Sequence, residues 1–155
     1  MSNGFSHMKK PVIIGFYGFS NSGKTTLITR LIKHFSEKGF NVATVKQTNK
    51  SYSIDTKDTD TWRHAEAGAK ITCFQTAIET SFVIRNQLEI KEIIRKICKF
   101  DSFDLILVEG ARDDFIQKIR LDETTPLRKQ TLFTFNGDIN NVTDIIEEEL
   151  RKKVE

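Results

Sequence analysis

Little in this chain could staple it or hold a metal through thiolates. It has two cysteines, Cys73 and Cys98, which lie far apart and form no Cys-x-x-Cys pair. That spacing argues against a zinc or redox motif and against a disulfide-stapled secreted domain, so two buried structural thiols in a reducing cytosol are expected. No apolar run approaches the roughly 20 residues of a membrane-spanning helix. The short apolar run Val12–Phe16 follows Lys9 and Lys10 but is too short and leads into a glycine loop instead of a cleavage site, so it is not expected to be a signal peptide. An excess of one charge is also missing. With 24 basic and 21 acidic residues the net charge is +3, too balanced for nucleic acid to be the main partner. A cytoplasmic protein that touches neither membrane nor nucleic acid is expected.

What is present is a regular alternation of two kinds of apolar pattern. Apolar runs at Val12–Tyr17 and 104–108 read as buried strands, 41–47 as a second strand between them, and 71–75, 81–85, 118–121 and 132–135 as further, shorter strands. Between them lie amphipathic helical patterns. The helix expected over 24–38 carries Leu27, Ile28, Leu31, Ile32 and Phe35 on one face. Further helices are expected over 60–67, 88–99 and 142–154, the last with Val142, Ile145, Ile146 and Leu150 facing inward. Such alternation predicts an α/β fold: a mostly parallel sheet with helices on both faces. The stretch 110–130 is the least regular and is expected to be mobile.

One motif dominates the chemistry. Gly18-Phe19-Ser20-Asn21-Ser22-Gly23-Lys24-Thr25 matches G-x-x-x-x-G-K-[ST] without a gap. It follows a buried strand and opens an amphipathic helix, the context a phosphate loop needs. Backbone N–H groups of such a loop point inward around a phosphate, and the helix N-terminus adds a positive dipole end. Lys24 would bridge phosphates as a point charge, and the Thr25 hydroxyl would bind Mg²⁺. The nucleotide-binding candidates are therefore Gly18, Ser20, Asn21, Ser22, Gly23, Lys24, Thr25 and Thr26. The fold class sharpens to a P-loop NTPase fold, read as a flexible leader over 1–10 and a single nucleotide-binding domain over 11–155.

A phosphate loop needs a carboxylate behind its metal. Glu109 ends the buried run 104–108, and ligands of open α/β sheets gather at the carboxyl ends of strands. Asp104 starts that run, at the opposite edge, and reads as structural. The segment 54–64 packs Asp55, Asp58 and Asp60 before a short helix, and such a loop could order around phosphate and Mg²⁺. Asp60 reads equally as the N-cap of that helix. Arg63 and His64 read as phosphate contacts or as surface positions, and Arg112 more readily as solvated. The catalytic candidates are Lys24, Asp55 and Glu109, and the metal candidates Thr25, Asp55 and Glu109. No Asn/Thr-Lys-x-Asp element announces guanine. Asn136-Gly137-Asp138 is the nearest base-contacting loop, or a simple turn.

Gly18–Thr26, then Asp55, Asp60-Thr61, Arg63-His64 and Ala67-Gly68-Ala69, then Leu107-Val108-Glu109-Gly110 occur in an order that resembles the MobB family, the molybdopterin-guanine dinucleotide biosynthesis adapter proteins. The resemblance covers 12 to 121. It implies a P-loop fold close to the signal-recognition and metal-chaperone GTPases, GTP bound with Mg²⁺ and hydrolysed slowly, and a homodimer. It implies assistance to a separate molybdopterin guanylyltransferase that attaches GMP to molybdopterin, with molybdopterin or a molybdoenzyme as further partners. Lys24 and Thr25 would then hold phosphate and Mg²⁺, with Asp55, Asp60 and Glu109 as the acidic shell. Two other functions stay open. A small-molecule kinase would want an arginine-rich lid, whereas Arg112, Arg120 and Arg128 are scattered. A metal-insertion GTPase would want Cys or His ligands, and the chain has three His and two unpaired Cys.

Overall fold

The computed structural model of the chain describes residues 10–153. Nearly all of the expected leader, and the end expected for the last helix, lie outside the described residues. Within them the elements run β1 (Val12–Tyr17), α1 (Lys24–Glu37), β2 (Val42–Lys46), α2 (Asp60–Glu66), β3 (Ile71–Gln75), β4 (Thr80–Ile84), α3 (Ile90–Phe100), β5 (Leu105–Glu109), β6 (Gln117–Arg120), β7 (Thr131–Thr134) and α4 (Ile139–Lys152). They fall into two compact units, 10–48 with 94–153, and 49–93.

The first unit is an α/β fold around a five-stranded sheet of order β2-β5-β1-β6-β7. Every neighbouring pair is parallel, so the carboxyl ends of all five strands lie along one edge. The central strands β1 and β5 are uninterrupted apolar runs because they lie in the middle of the sheet, and all of Leu105, Ile106, Leu107 and Val108 are fully buried. Their alternate residues feed one core. Val12, Ile14, Phe16, Leu105, Leu107 and Ile119 pack with Leu27, Ile28, Leu31 and Phe35 of α1 and with Val142, Ile146 and Leu150 of α4. The 3.6-residue stripes of both helices match this sheet face. At the far edge Asp104 has the structural role expected of it: Oδ2 accepts from Asn41 N at 2.9 Å, and its carbonyl accepts from Val12 N at 2.8 Å.

Three details differ from expectation. First, the stretch 110–130 is irregular but heavily tied. Lys118 is fully buried, and its ammonium donates to the carbonyls of Ile116 and Lys129, both at 2.8 Å. Arg128 lies over the Tyr17 ring, 4.6 Å from its centroid, and donates from Nη1 to Ala111 O at 2.6 Å. Burial pushes the Lys118 pKa down, while Asp114 and Asp113 pull it back up. Second, α4 starts earlier than its apolar stripe, at Ile139, because Asp138 caps it: its Oδ1 accepts from Asn140 N at 2.9 Å. Asn136-Gly137-Asp138 is thus the turn that launches α4. Third, the expected buried thiols are not buried: Cys73 is exposed and Cys98 half-buried.

In the second unit, β3 and β4 form their own antiparallel pair instead of joining the parallel sheet. Connection length accounts for their antiparallel direction. Four residues, 76–79, link the two strands, and a parallel crossover takes a dozen or more. The Thr76 hydroxyl closes this turn by accepting from Ile78 N and Glu79 N at 3.2 and 3.0 Å. Cys73 sits on the face of this pair that also carries Ile71, Phe82 and Ile84 by register, which accounts for its exposure.

Candidate functional site

Strand β1 ends at Tyr17 and the chain turns at once through 18–23 into α1. The loop is kept open by backbone conformation: Asn21 and Gly23 both take left-handed angles, φ 66° and 88°. Gly23 is the N-cap of α1, yet no side chain caps the helix and its first turn carries no acidic residue. Helices α2 and α4 are both capped, by Thr59 and Asp138. The first N–H groups of α1 therefore face the loop with no side-chain acceptor, and the helix dipole adds to their positive character.

Lys24 folds back over this concavity. Its Nζ donates to the carbonyls of Gly18 (3.0 Å) and Phe19 and to Ser22 Oγ (3.2 Å). The loop thus holds an ammonium and an uncapped helix start together, which is the chemistry of a phosphate cradle. Gly18 does a different job from the one its place in the motif suggests. A Cβ there would stand 2.6 Å from Asp122 Oδ2 and 2.7 Å from Ser22 Oγ, so the first glycine makes room for side chains.

Behind the loop stands Glu109. Parallel pairing of β5 with β1 places Glu109 opposite Phe16, at the same sheet edge as the loop. Its Oε1 accepts from the Thr25 hydroxyl at 3.0 Å and lies 3.5 Å from Lys46 Nζ. Thr25 and Glu109, both singled out from sequence, are thus in contact. Both offer hard oxygen donors of the kind Mg²⁺ accepts, so the pair fits that ion. Gly110 shapes the chain behind Glu109: its φ is +80°, and a Cβ would meet the carbonyl oxygen of Gln47 at 2.4 Å.

Asp55, Asp60, Arg63 and His64 belong to the second unit. Asp60 is the first residue of α2, and the cap is its neighbour Thr59, whose hydroxyl accepts from Trp62 N at 3.3 Å. Thr59 has extended angles suited to an N-cap, which corrects the expectation for Asp60. Arg63 and His64 lie in the last turn of α2, where cations favour the helix dipole. Asp55 is a hub: Oδ1 accepts from Thr59 Oγ1 at 3.1 Å and Thr61 Oγ1 at 2.9 Å, while Arg85 Nη2 stands 3.8 Å from Oδ2. Oδ2 is buried without a hydrogen bond, as is Thr72 Oγ1. Both residues line a groove of about 960 Å³ formed within this unit.

Two residues of the site were missed by reading the sequence. Lys46 is the last residue of β2, paired in register with Glu109. Asp122 follows β6, and its Oδ2 accepts from Phe19 N inside the phosphate loop at 3.1 Å. Burial raises the Asp122 pKa, but hydrogen bonds from Thr124, Thr125 and Phe19 outweigh it and hold the carboxyl far below the usual carboxylate range. The only available signal was an acidic residue directly after a strand.

A family model for "Molybdopterin guanine dinucleotide synthesis protein B" (MobB) matches residues 13–146. The chain belongs to the MobB family. A Haemophilus influenzae molybdopterin-guanine dinucleotide biosynthesis adapter protein is 31% identical over 121 residues, 74% of this chain and 67% of its own. A Methanocaldococcus jannaschii protein is 35% identical over 101 residues, 65% of this chain but 41% of its own length. The chain thus spans about two fifths of that relative's length. The crystal structure of Bacillus subtilis MobB superposes with a TM-score of 0.68 at 21% identity, covering 88% of this chain and 96% of that one. At that identity the superposition establishes the P-loop type of MobB fold alone.

Proposed function

We propose that this MobB-family chain binds GTP with Mg²⁺ at the 18–26 loop and serves as an adapter in molybdenum cofactor maturation, assisting a separate guanylyltransferase that attaches GMP to molybdopterin. The observation that carries the nucleotide half is the uncapped α1 N-terminus closed over by Lys24, with the Thr25–Glu109 pair beside it. The adapter half follows the description shared by the curated relatives. In this reading Lys24 and the backbone of Ser20, Asn21, Ser22, Gly23, Thr25 and Thr26 bind the phosphates. Thr25 and Glu109 hold the ion directly or through water, and the ion neutralises phosphate charge. Asp55 remains a candidate for the ion from its sequence position alone; within the second unit its carboxylate is engaged by Thr59, Thr61 and Arg85.

Hydrolysis in this reading is slow, near the roughly 10⁻⁴ s⁻¹ of unassisted P-loop GTPases, and rises on contact with a partner that supplies a positive group. Molybdopterin or a molybdoenzyme is a further partner. The protein works in the cytoplasm as a homodimer. The face of the β3–β4 pair carrying Ile71 (57% exposed) and Phe82 (52%) is the surface a second copy would cover. Among the described residues no helix is long and apolar enough to cross a membrane.

The test is calorimetry with GTP, ATP and GMP, with and without Mg²⁺, followed by phosphate release from GTP alone and with molybdopterin and a guanylyltransferase. Tight Mg²⁺-dependent GTP binding with slow release, and a partner-dependent change, support the proposal. Fast γ-phosphate transfer to a small hydroxyl compound by the protein alone would instead make it a kinase.

A further inference from the structure

The Asp122 carboxylate accepts four hydrogen bonds, and three come from its own turn. Oδ1 accepts from Thr124 Oγ1 and Thr125 N, both at 2.7 Å, and Oδ2 accepts from Thr125 Oγ1 at 2.8 Å. The fourth, from Phe19 N to Oδ2, spans 103 positions. Sheet order makes that reach possible. β6 pairs with β1 up to Tyr17 and Arg120, and Leu121 N donates to Tyr17 O at 2.8 Å. The chain leaving β6 therefore emerges beside the phosphate loop.

A permanent carboxylate next to an anion-binding loop repels any phosphate placed there. A charge in that place calls for a compensating role, and the contact itself supplies one. The Phe19 N–H is committed to Asp122 and so is not free to bind a phosphate. Gly18 is what lets the carboxylate come this close.

We propose that Asp122 is a positioning residue for nucleotide binding: by holding the Phe19 amide it sets the path of the loop, so that its remaining free N–H groups and those at the start of α1 converge on the phosphates. This rests on the nucleotide reading above. It also makes the 122–125 turn and the phosphate loop one connected body, so that an order change in either is felt by the other.

Asp122→Asn separates positioning from a merely local turn. The new amide keeps one oxygen for Thr125 N, and the Thr125 hydroxyl can reverse its role and accept. The Phe19 N–H, however, then faces an NH₂ donor. Binding of GTP is measured by calorimetry for wild type, Asp122→Asn, Asp122→Ala and Thr124→Ala, with thermal melting and NMR hydrogen exchange of the Phe19 amide. The expected result is a loss of about tenfold in GTP affinity in Asp122→Asn, with a lower melting temperature in a protein still fully folded at the assay temperature, and a faster-exchanging Phe19 amide. Thr124→Ala, which leaves the Phe19 contact in place, should bind as wild type does. Wild-type or tighter GTP binding by Asp122→Asn overturns the proposal, since loss of repulsion would then be the whole effect. So does unchanged Phe19 exchange. A wild-type protein that binds no GTP sinks the nucleotide reading instead, and the exchange result still decides whether Asp122 holds the loop.

Discussion

The Thr25 hydroxyl donates to Glu109 Oε1 at 3.0 Å across 84 positions of sequence. One residue lies in the first turn of α1 and the other ends β5, and the parallel β1–β5 pairing brings them together. If the pair holds Mg²⁺, its loss is felt only when the ion is present. Thr25→Ala and Glu109→Ala should each weaken GTP binding by about tenfold or more in Mg²⁺ and little in EDTA. Calorimetry in both buffers checks this. A Glu109→Ala protein that matches wild type in both removes Glu109 from the metal site.

Lys24→Ala should cost roughly 2–3 kcal/mol of triphosphate binding, about 30- to 150-fold, because a charge-assisted phosphate contact is lost. The same ammonium also ties Gly18 O, Phe19 O and Ser22 Oγ together, so the loop amides should exchange faster in the free protein. Unaltered affinity would remove the phosphate loop as the binding site.

Asp55 can be tested for two roles at once. It joins Thr59, Thr61 and Arg85 within the second unit. Asp55→Asn keeps the shape and an acceptor for the threonine hydroxyls. If Asp55 serves the metal, this variant loses Mg²⁺-dependent GTP affinity while hydrogen exchange across 49–93 stays as in wild type. If exchange over 49–93 rises and Mg²⁺ dependence is kept, Asp55 is a structural hub and no more.

Gly110→Ala and Gly39→Ala should differ sharply in urea unfolding. Both glycines have left-handed φ, 80° and 85°, which costs an alanine about 1 kcal/mol. Around Gly39 a Cβ meets nothing within 4 Å, whereas at Gly110 it meets the Gln47 backbone oxygen at 2.4 Å. Gly39→Ala should therefore lose about 1 kcal/mol and Gly110→Ala about 3 or more. Equal losses would mean that the Gln47 segment yields freely.

Glu147 gives a pH signature. Hydrogen bonds from Lys38 and His34 lower its pKa from the ordinary 4.5. A carboxylate with a depressed folded-state pKa stabilises the protein above its unfolded value and loses that contribution as pH falls through the folded value. Glu147→Gln should therefore lower the unfolding midpoint at pH 7 and approach wild type well below pH 4. A deficit that stays constant with pH would mean the interaction does not depend on charge.

The sequence announced features whose causes are local. A phosphate loop is eight consecutive residues whose glycines, lysine and threonine act through backbone angles and an adjacent helix start, so its pattern survives without knowledge of the rest of the chain. Buried strands and amphipathic helices showed for the same reason: burial on one face imposes a period on neighbouring residues. An element end shifted where a cap decided it, as at Asp138, which starts α4 ahead of its apolar stripe. Glu109 was visible because the end of a buried strand is marked by the polarity change itself.

Contacts between distant segments were not visible in this way. That Thr25 would donate to Glu109, that Lys46 would stand beside it, and that Asp122 would reach Phe19 all depend on strand order β2-β5-β1-β6-β7. That order is settled by packing of whole elements around a shared core, and no window of sequence encodes it. The same holds for the β3–β4 pair, whose strand pattern was readable while its separation from the main sheet was not. Gly18 shows the limit within a single motif: its place in the phosphate loop is local, but the side chain it makes room for, Asp122, comes from the turn after β6.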